Sequence, residues 1–192
     1  MTLTDFLMAA RYTVREPRAA ARWVLGMGVP VPARWAALAL MAVASTFLVM
    51  LDLRIVGATD DPVVQGAMAN PMPLAAVQML MLALSAWLMA RVGRLFGGNG
   101  QFSDAVMLVV WMQAVLLVVQ VVQILAALVS VPLSDGVALL GFAISMWLMT
   151  NFVAELHGFS SLGRVFLGIL GAGLALAVVL ATLLTVAMEV FG

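Results

Sequence analysis

The chain has 192 residues, of which 65% are hydrophobic and 9% charged, against about 25% charged in an ordinary soluble chain, so a soluble globular domain is excluded. Its nine basic residues are all Arg and its nine acids balance them, so nucleic-acid binding has no electrostatic basis. Without Cys there are no disulfides, thiolate metal sites or Cys nucleophiles, and a single His leaves no material for a metal cluster or cofactor site.

Residues 1–33 form an N-terminal segment, expected to be cytoplasmic and amphipathic. It lacks the apolar core of a signal peptide, and Asp5 and Glu16 do not suit a transit peptide, so it is expected in the mature chain. Arg11, Arg15, Arg18 and Arg22 recur at helical spacing along one face, while Phe6, Leu7, Ala10 and Val14 lie off it. This pattern predicts a helix on the membrane surface, split at Pro17 and broken by Gly26 to Pro32. Anionic lipid would attract each Arg by about 1 kcal/mol. The arginines also serve the simpler purpose of keeping the N-terminus inside, and the two roles are compatible.

Crossing about 30 Å of hydrocarbon takes roughly 20 apolar residues in a helix. Residues 34–192 supply five such stretches, near 35–54, 73–92, 105–129, 137–155 and 164–188. Their runs are not the alternating pattern of a barrel, so an all-α, five-helix transmembrane bundle with an interfacial N-terminal helix is expected. Eight of the nine Arg fall on one side of this topology, leaving Arg54 opposite, with Asp52, Asp60, Asp61, Asp135 and Glu189. Positive charge is retained inside, which predicts a cytoplasmic N-terminus and an external C-terminus.

Polar residues within a span point to interior surfaces. Gln113, Gln120 and Gln123 share one face of the third span, Gln78 and Ser85 mark the second, and Ser145, Thr150 and Asn151 the fourth. They could line a polar path, but as helix glue they contribute roughly 0.6–2 kcal/mol per contact, and no ionisable group sits at mid-depth. In the fifth span, Gly168 with Ala172 and Gly171 with Ala175 form small-xxx-small pairs, predicting a central or dimer-forming helix.

Two turns on the arginine side carry the least ordinary sequence, Arg91 to Asp104 and Glu155 to Arg164. Each places a Gly and then Phe-Ser before a membrane helix, a faint internal echo. Ser103 and Ser160 or Ser161 are candidate caps of the third and fifth spans. The two helix N-termini beside Arg91, Arg94 and Arg164, with Gly97 and Gly98 in the loop, could hold a lipid phosphate. The bland account is that glycines make tight turns and arginines keep them inside. No nucleotide loop is present, since GxxxxGK[ST] is absent. Glu155 and His157 are two apart and point to opposite sides of a helix, and neither HExxH nor GxSxG occurs, so the chain is not expected to be an enzyme.

In these two turns the chain resembles the bacterial members of the Yip (Ypt-interacting protein) family of five-span membrane proteins. The resemblance covers roughly residues 70 to 190. It rests on Gly97-Gly98-Asn99-Gly100-Gln101-Phe102 opening the third span, and on His157-Gly158-Phe159-Ser160 with Leu162 and Arg164 opening the fifth. Family members often have Pro early in the third span, where this chain has Trp111-Met112-Gln113. The resemblance implies a non-enzymatic membrane protein with a cytoplasmic N-terminus. Eukaryotic relatives act with small GTPases through longer N-terminal regions than this one, so that role does not carry over. Abundant Ala, Gly and Arg without Lys suit a GC-rich bacterial genome, and the expected location is a bacterial inner membrane with the C-terminus periplasmic. The expected partners are anionic membrane lipids, a membrane-protein partner or a second copy, and an accessory subunit of a larger complex is one such role. A small transporter or lipid-moving protein with a path along Gln113, Gln120 and Asn151 is the alternative.

Overall fold

A computed structural model of the chain describes residues 2–57 and 62–191, with the backbone alone at residues 63, 180, 183, 184 and 187–191. Asp60 and Asp61, and the side chain of Glu189, therefore lie outside the described residues. Among the described residues the regular elements are all helices: α1 (Leu3–Arg15), α2 (Pro17–Gly26), α3 (Val31–Val56), α4 (Pro62–Ala69), α5 (Met72–Leu95), α6 (Phe102–Ala127), α7 (Val131–His157) and α8 (Leu162–Phe191). Five of them, α3 and α5 to α8, are long and apolar enough to cross a membrane.

Proline sets several helix starts. Pro17, Pro32, Pro73 and Pro132 each occupy a first turn, where the missing N–H has no intrahelical partner to lose. Helix α7 accordingly opens at Val131, well before the expected residue 137, because Ser130 caps it by accepting from the Leu133 N–H at 3.3 Å. The short helix α4 had no sequence expectation.

Helix α6 is the centre of the bundle, packed by α3, α5 and α7. Its stretch Ala105 to Met112 is buried without a break, so no side of it meets lipid. This follows because α1 and α2 cover the flank that the long helices leave open. Trp111, 7% exposed, is the anchor of that cover. Phe6 and Trp23 meet its ring edge-on at 6.1 and 5.3 Å, and its indole N–H donates to the Thr13 hydroxyl at 2.9 Å. Such edge-to-face pairs add about 0.5–1.5 kcal/mol beyond the area they bury. Trp147 of α7 donates to the Val14 carbonyl at 3.1 Å.

Helix α8 lies at the rim, against α7 and one end of α5. A central place for it is thereby corrected. A Cβ added at Gly168, Gly171 or Gly173 would meet nothing within 4 Å, and Ala172 is only half-buried and Ala175 exposed, so among the described residues no other helix packs closely on the small-residue pairs.

The span amides mostly act within and between helices. Gln113 donates to the Ser45 hydroxyl at 2.6 Å, and Gln123 to Asp52 Oδ2 at 3.4 Å. Asp52, expected to close the first span, lies inside α3. Asn151 is buried and donates to the Trp147 carbonyl of its own helix at 2.8 Å, while Gln78 is half-buried on α5. Gln120 faces a shallow hollow of about 270 Å³ with Gln113, Gln123 and Ser145, and Asn151 is not on it.

Candidate functional site

The two unusual turns meet at the arginine-rich end of the bundle. Helix α5 ends with Gly97 in the left-handed region at φ 86°, its N–H donating to Arg94 while the Gly98 N–H reaches back to Gly93. Helix α7 ends the same way, with Gly158 at φ 73° and the Phe159 N–H donating to Ala154 at 2.8 Å. Both are Schellman closures, which a glycine adopts without Cβ strain. The correspondence between the turns is thus Gly97 with Gly158, not the repeated Phe-Ser. Phe102 and Ser103 lie inside α6, whose N-cap is Gln101, so Ser103 caps nothing and contributes a carbonyl instead. Ser161, and not Ser160, accepts from the Arg164 N–H, at 3.4 Å.

One closing glycine per turn satisfies the backbone, yet the first turn has several. The reason is His157. Its imidazole is 5% exposed and fills a socket made by Gly93, Gly98 and Gly100. A Cβ at Gly93 or Gly98 would overlap the ring, and one at Gly100 would come within 2.6 Å of both His157 Cε1 and Leu156 Cγ. The ring is bonded at both nitrogens: the Gly100 N–H donates to Nδ1 at 3.0 Å, and Nε2 sits 2.9 Å from the Met89 carbonyl. Only the neutral Nε2–H tautomer satisfies both, accepting at Nδ1 and donating at Nε2. Phe159 stacks on the ring at 5.4 Å. The sequence pairs His157 only with Glu155 and does not show the socket. The signal was a lone His at a helix end with three glycines beyond turn need about 57 to 64 residues earlier.

The arginines divide into two sets. Arg18 and Arg22 both hold the Glu155 carboxylate, at 2.9 and 3.0 Å, and Arg18 also donates to the Phe159 carbonyl at 3.1 Å. They strap α2 to the end of α7, a contact inside the chain that the sequence did not suggest. Arg34, its side chain 12% exposed, donates to Asp104 and the Ser103 carbonyl at 2.7 Å each. Arg11, Arg15, Arg91, Arg94 and Arg164 are exposed and form no ion pair among the described residues.

Beside the socket a lateral groove of about 940 Å³ opens between α5 and α8, with Met149 and Val153 of α7 as its floor. Ser85, Met89, Val92 and Phe96 form one wall, and Val165, Gly168, Ile169 and Ala172 the other. Ser160, Ser161 and Arg164 stand at its mouth. Gly93 serves both features, facing the imidazole on one side and the groove on the other. No cluster of His, Cys, Asp or Glu able to hold a metal occurs among the described residues.

Five apolar spans around a packed third crossing, with their charged turns locked together at one end, define a multi-pass helical membrane protein. The Yip1 domain model matches residues 11–184, and the chain belongs to that family. No curated protein and no solved structure matches it.

Proposed function

We propose that this Yip1-family protein is a non-enzymatic membrane organiser that binds anionic lipid at the cytoplasmic leaflet of a bacterial inner membrane, through Arg91, Arg94 and Arg164. The observation that carries this is the division of the arginines. Those that fasten the chain to itself are matched by Glu155 and Asp104, whereas Arg91, Arg94 and Arg164 are exposed at the same end and have no acidic partner among the described residues. Unmatched guanidinium groups beside hydrocarbon recruit phosphate, which Arg grips bidentately. Arg11 and Arg15 extend the basic surface along α1. The same basic surface would also suit docking to an acidic membrane partner in a larger complex.

A transport path has less support, because Gln113 is spent on Ser45, Asn151 on its own helix, and the hollow beside Gln120 is separate from Asn151.

The test is native mass spectrometry of the full chain released from nanodiscs of mixed phosphatidylglycerol and phosphatidylcholine. Arg91→Gln, Arg94→Gln and Arg164→Gln should each lower the preference for phosphatidylglycerol, by up to roughly fivefold per residue. Arg54→Gln, at the opposite end, should leave it unchanged. An unaltered preference in the triple variant would refute the proposal.

A further inference from the structure

The groove between α5 and α8 has a depth that identifies its occupant. From Arg164 at the mouth to Gly173 at the inner end is nine residues of helix, about 14 Å, and from Phe96 to Ser85 on α5 is about 16 Å. Half of a hydrocarbon core of about 30 Å is about 15 Å, the reach of one leaflet's acyl chains. The volume of about 940 Å³ lies at the upper end of the roughly 300–1,000 Å³ typical of ligand pockets.

Polarity is graded along this depth. Arg164, Ser160 and Ser161 stand at the mouth, and below them the walls are Val92, Val153 and Ile169, with Ser85 at the inner end donating its hydroxyl to the Met81 carbonyl of its own helix at 2.8 Å. A charged end over an apolar shaft of one-leaflet length is the mirror image of a phospholipid. A helix of a second copy fits less well: it would need a seam through the full membrane, and it would set apolar side chains against Arg164. The glycines of α8 leave room in the shaft, since a Cβ at Gly168 or Gly171 meets nothing within 4 Å.

We infer that this groove is a phospholipid site that holds acyl chain between α5 and α8 and phosphate at Arg164 with the Ser160 and Ser161 hydroxyls. The inference rests on the anionic-lipid proposal for the headgroup, but the groove makes its own demand on the tails. A chain in the groove and a chain in the bilayer are both in hydrocarbon, so the groove gains little by hydrophobicity. It fixes stoichiometry and residence, and the arginines set headgroup choice.

The experiment fills the shaft without touching the arginines. Gly168→Phe with Gly171→Phe starts both side chains from positions where a Cβ meets nothing within 4 Å and projects two rings into the shaft. In the same nanodisc release, the filled variant should lose the retained phospholipid, of either headgroup, by at least roughly tenfold. The triple Arg→Gln variant should keep a lipid and lose only the phosphatidylglycerol preference. Unchanged retention in the filled variant overturns the groove and leaves the headgroup proposal standing. An unchanged preference in the Arg variant, with loss in the filled one, does the reverse for phosphate and keeps the shaft.

Wild-type protein supplies a measurement free of any folding concern. Phosphatidylglycerol with a photoactivatable acyl chain should label residues 85–96 of α5 and 165–173 of α8. Labelling confined to outward residues such as Leu139 and Phe142, or a dimer mass in place of the lipid adduct, would overturn the inference.

Discussion

Replacing Gly93 by Ala sets two effects of opposite sign against each other. Gly93 lies inside α5, where Ala is the better helix former by about 0.5–1 kcal/mol, so propensity alone predicts stabilisation. The new methyl, however, would occupy the place of the His157 ring. Moving the imidazole away forfeits the Gly100 N–H and the Met89 carbonyl, both buried. Each buried group left unpaired costs about 1–3 kcal/mol, or roughly 2–6 kcal/mol for the two, so the net effect of Gly93→Ala is a destabilisation of about 1–5 kcal/mol. His157→Ala removes the obstacle, and in that background only propensity remains, making the same substitution neutral or stabilising by up to about 1 kcal/mol. The four proteins form a double-mutant cycle, read as equilibrium unfolding by increasing detergent denaturant in mixed micelles. If Gly93→Ala stabilises the wild type, or costs the same in both backgrounds, the socket is not what holds the turns together.

Glu155→Gln should loosen α2 on α7 without detaching it, since Ala20, Ala21 and Val24 remain buried, raising amide exchange over residues 17–26 modestly while α6 stays protected. Because Arg18 and Arg22 are 36% and 61% exposed, the loss should be about 1 kcal/mol or less and should shrink further in high salt. Trp111→Phe removes the donor to Thr13 but keeps an aromatic ring, so about 1 kcal/mol should be lost, and adding Thr13→Val should cost little more, as thermal unfolding would show. Asp5 is held below the usual carboxylate range by the Thr2 backbone N–H and then by its hydroxyl. Its folded value being depressed, the capping contribution is complete at neutral pH and is lost as pH falls below the ordinary 3.8, which amide exchange at the start of α1 would follow; Thr2→Ala, which keeps the backbone N–H, should only weaken that dependence, whereas Asp5→Asn should abolish it.

The crossings were legible in the sequence because hydrocarbon imposes a length and a composition that local residues alone report. Pro17 likewise divides α1 from α2 as its chemistry requires. Helix starts are less legible beside proline, which can either end a helix or open one, as at Pro132, where Ser130 stands one residue ahead of the helix as a cap. The junction was the hardest part. His157 lies 57 residues from Gly100 and 68 from Met89, so no local pattern joins them. The glycines of the first turn carried two meanings at once, Gly97 for its backbone angle and Gly93, Gly98 and Gly100 for space, and only the tertiary contact separates them. The arginines were equally ambiguous, since retention inside, ion pairing and lipid attraction all place them at the same end. Glu155, set aside with the idea of catalysis, resolves part of this by matching Arg18 and Arg22. The small residues of α8 failed as a guide to its place in the bundle because they border a groove that α5 does not close.

The central claim is that the locked turns position a phospholipid site between α5 and α8. An experimental structure of the full chain in nanodiscs rich in phosphatidylglycerol tests it most directly. The account predicts chain-shaped density along Val92, Val153 and Ile169, ending in phosphate within hydrogen-bond reach of Arg164. A groove closed by α8 resting on α5, or filled by a helix of a neighbouring copy, would contradict it.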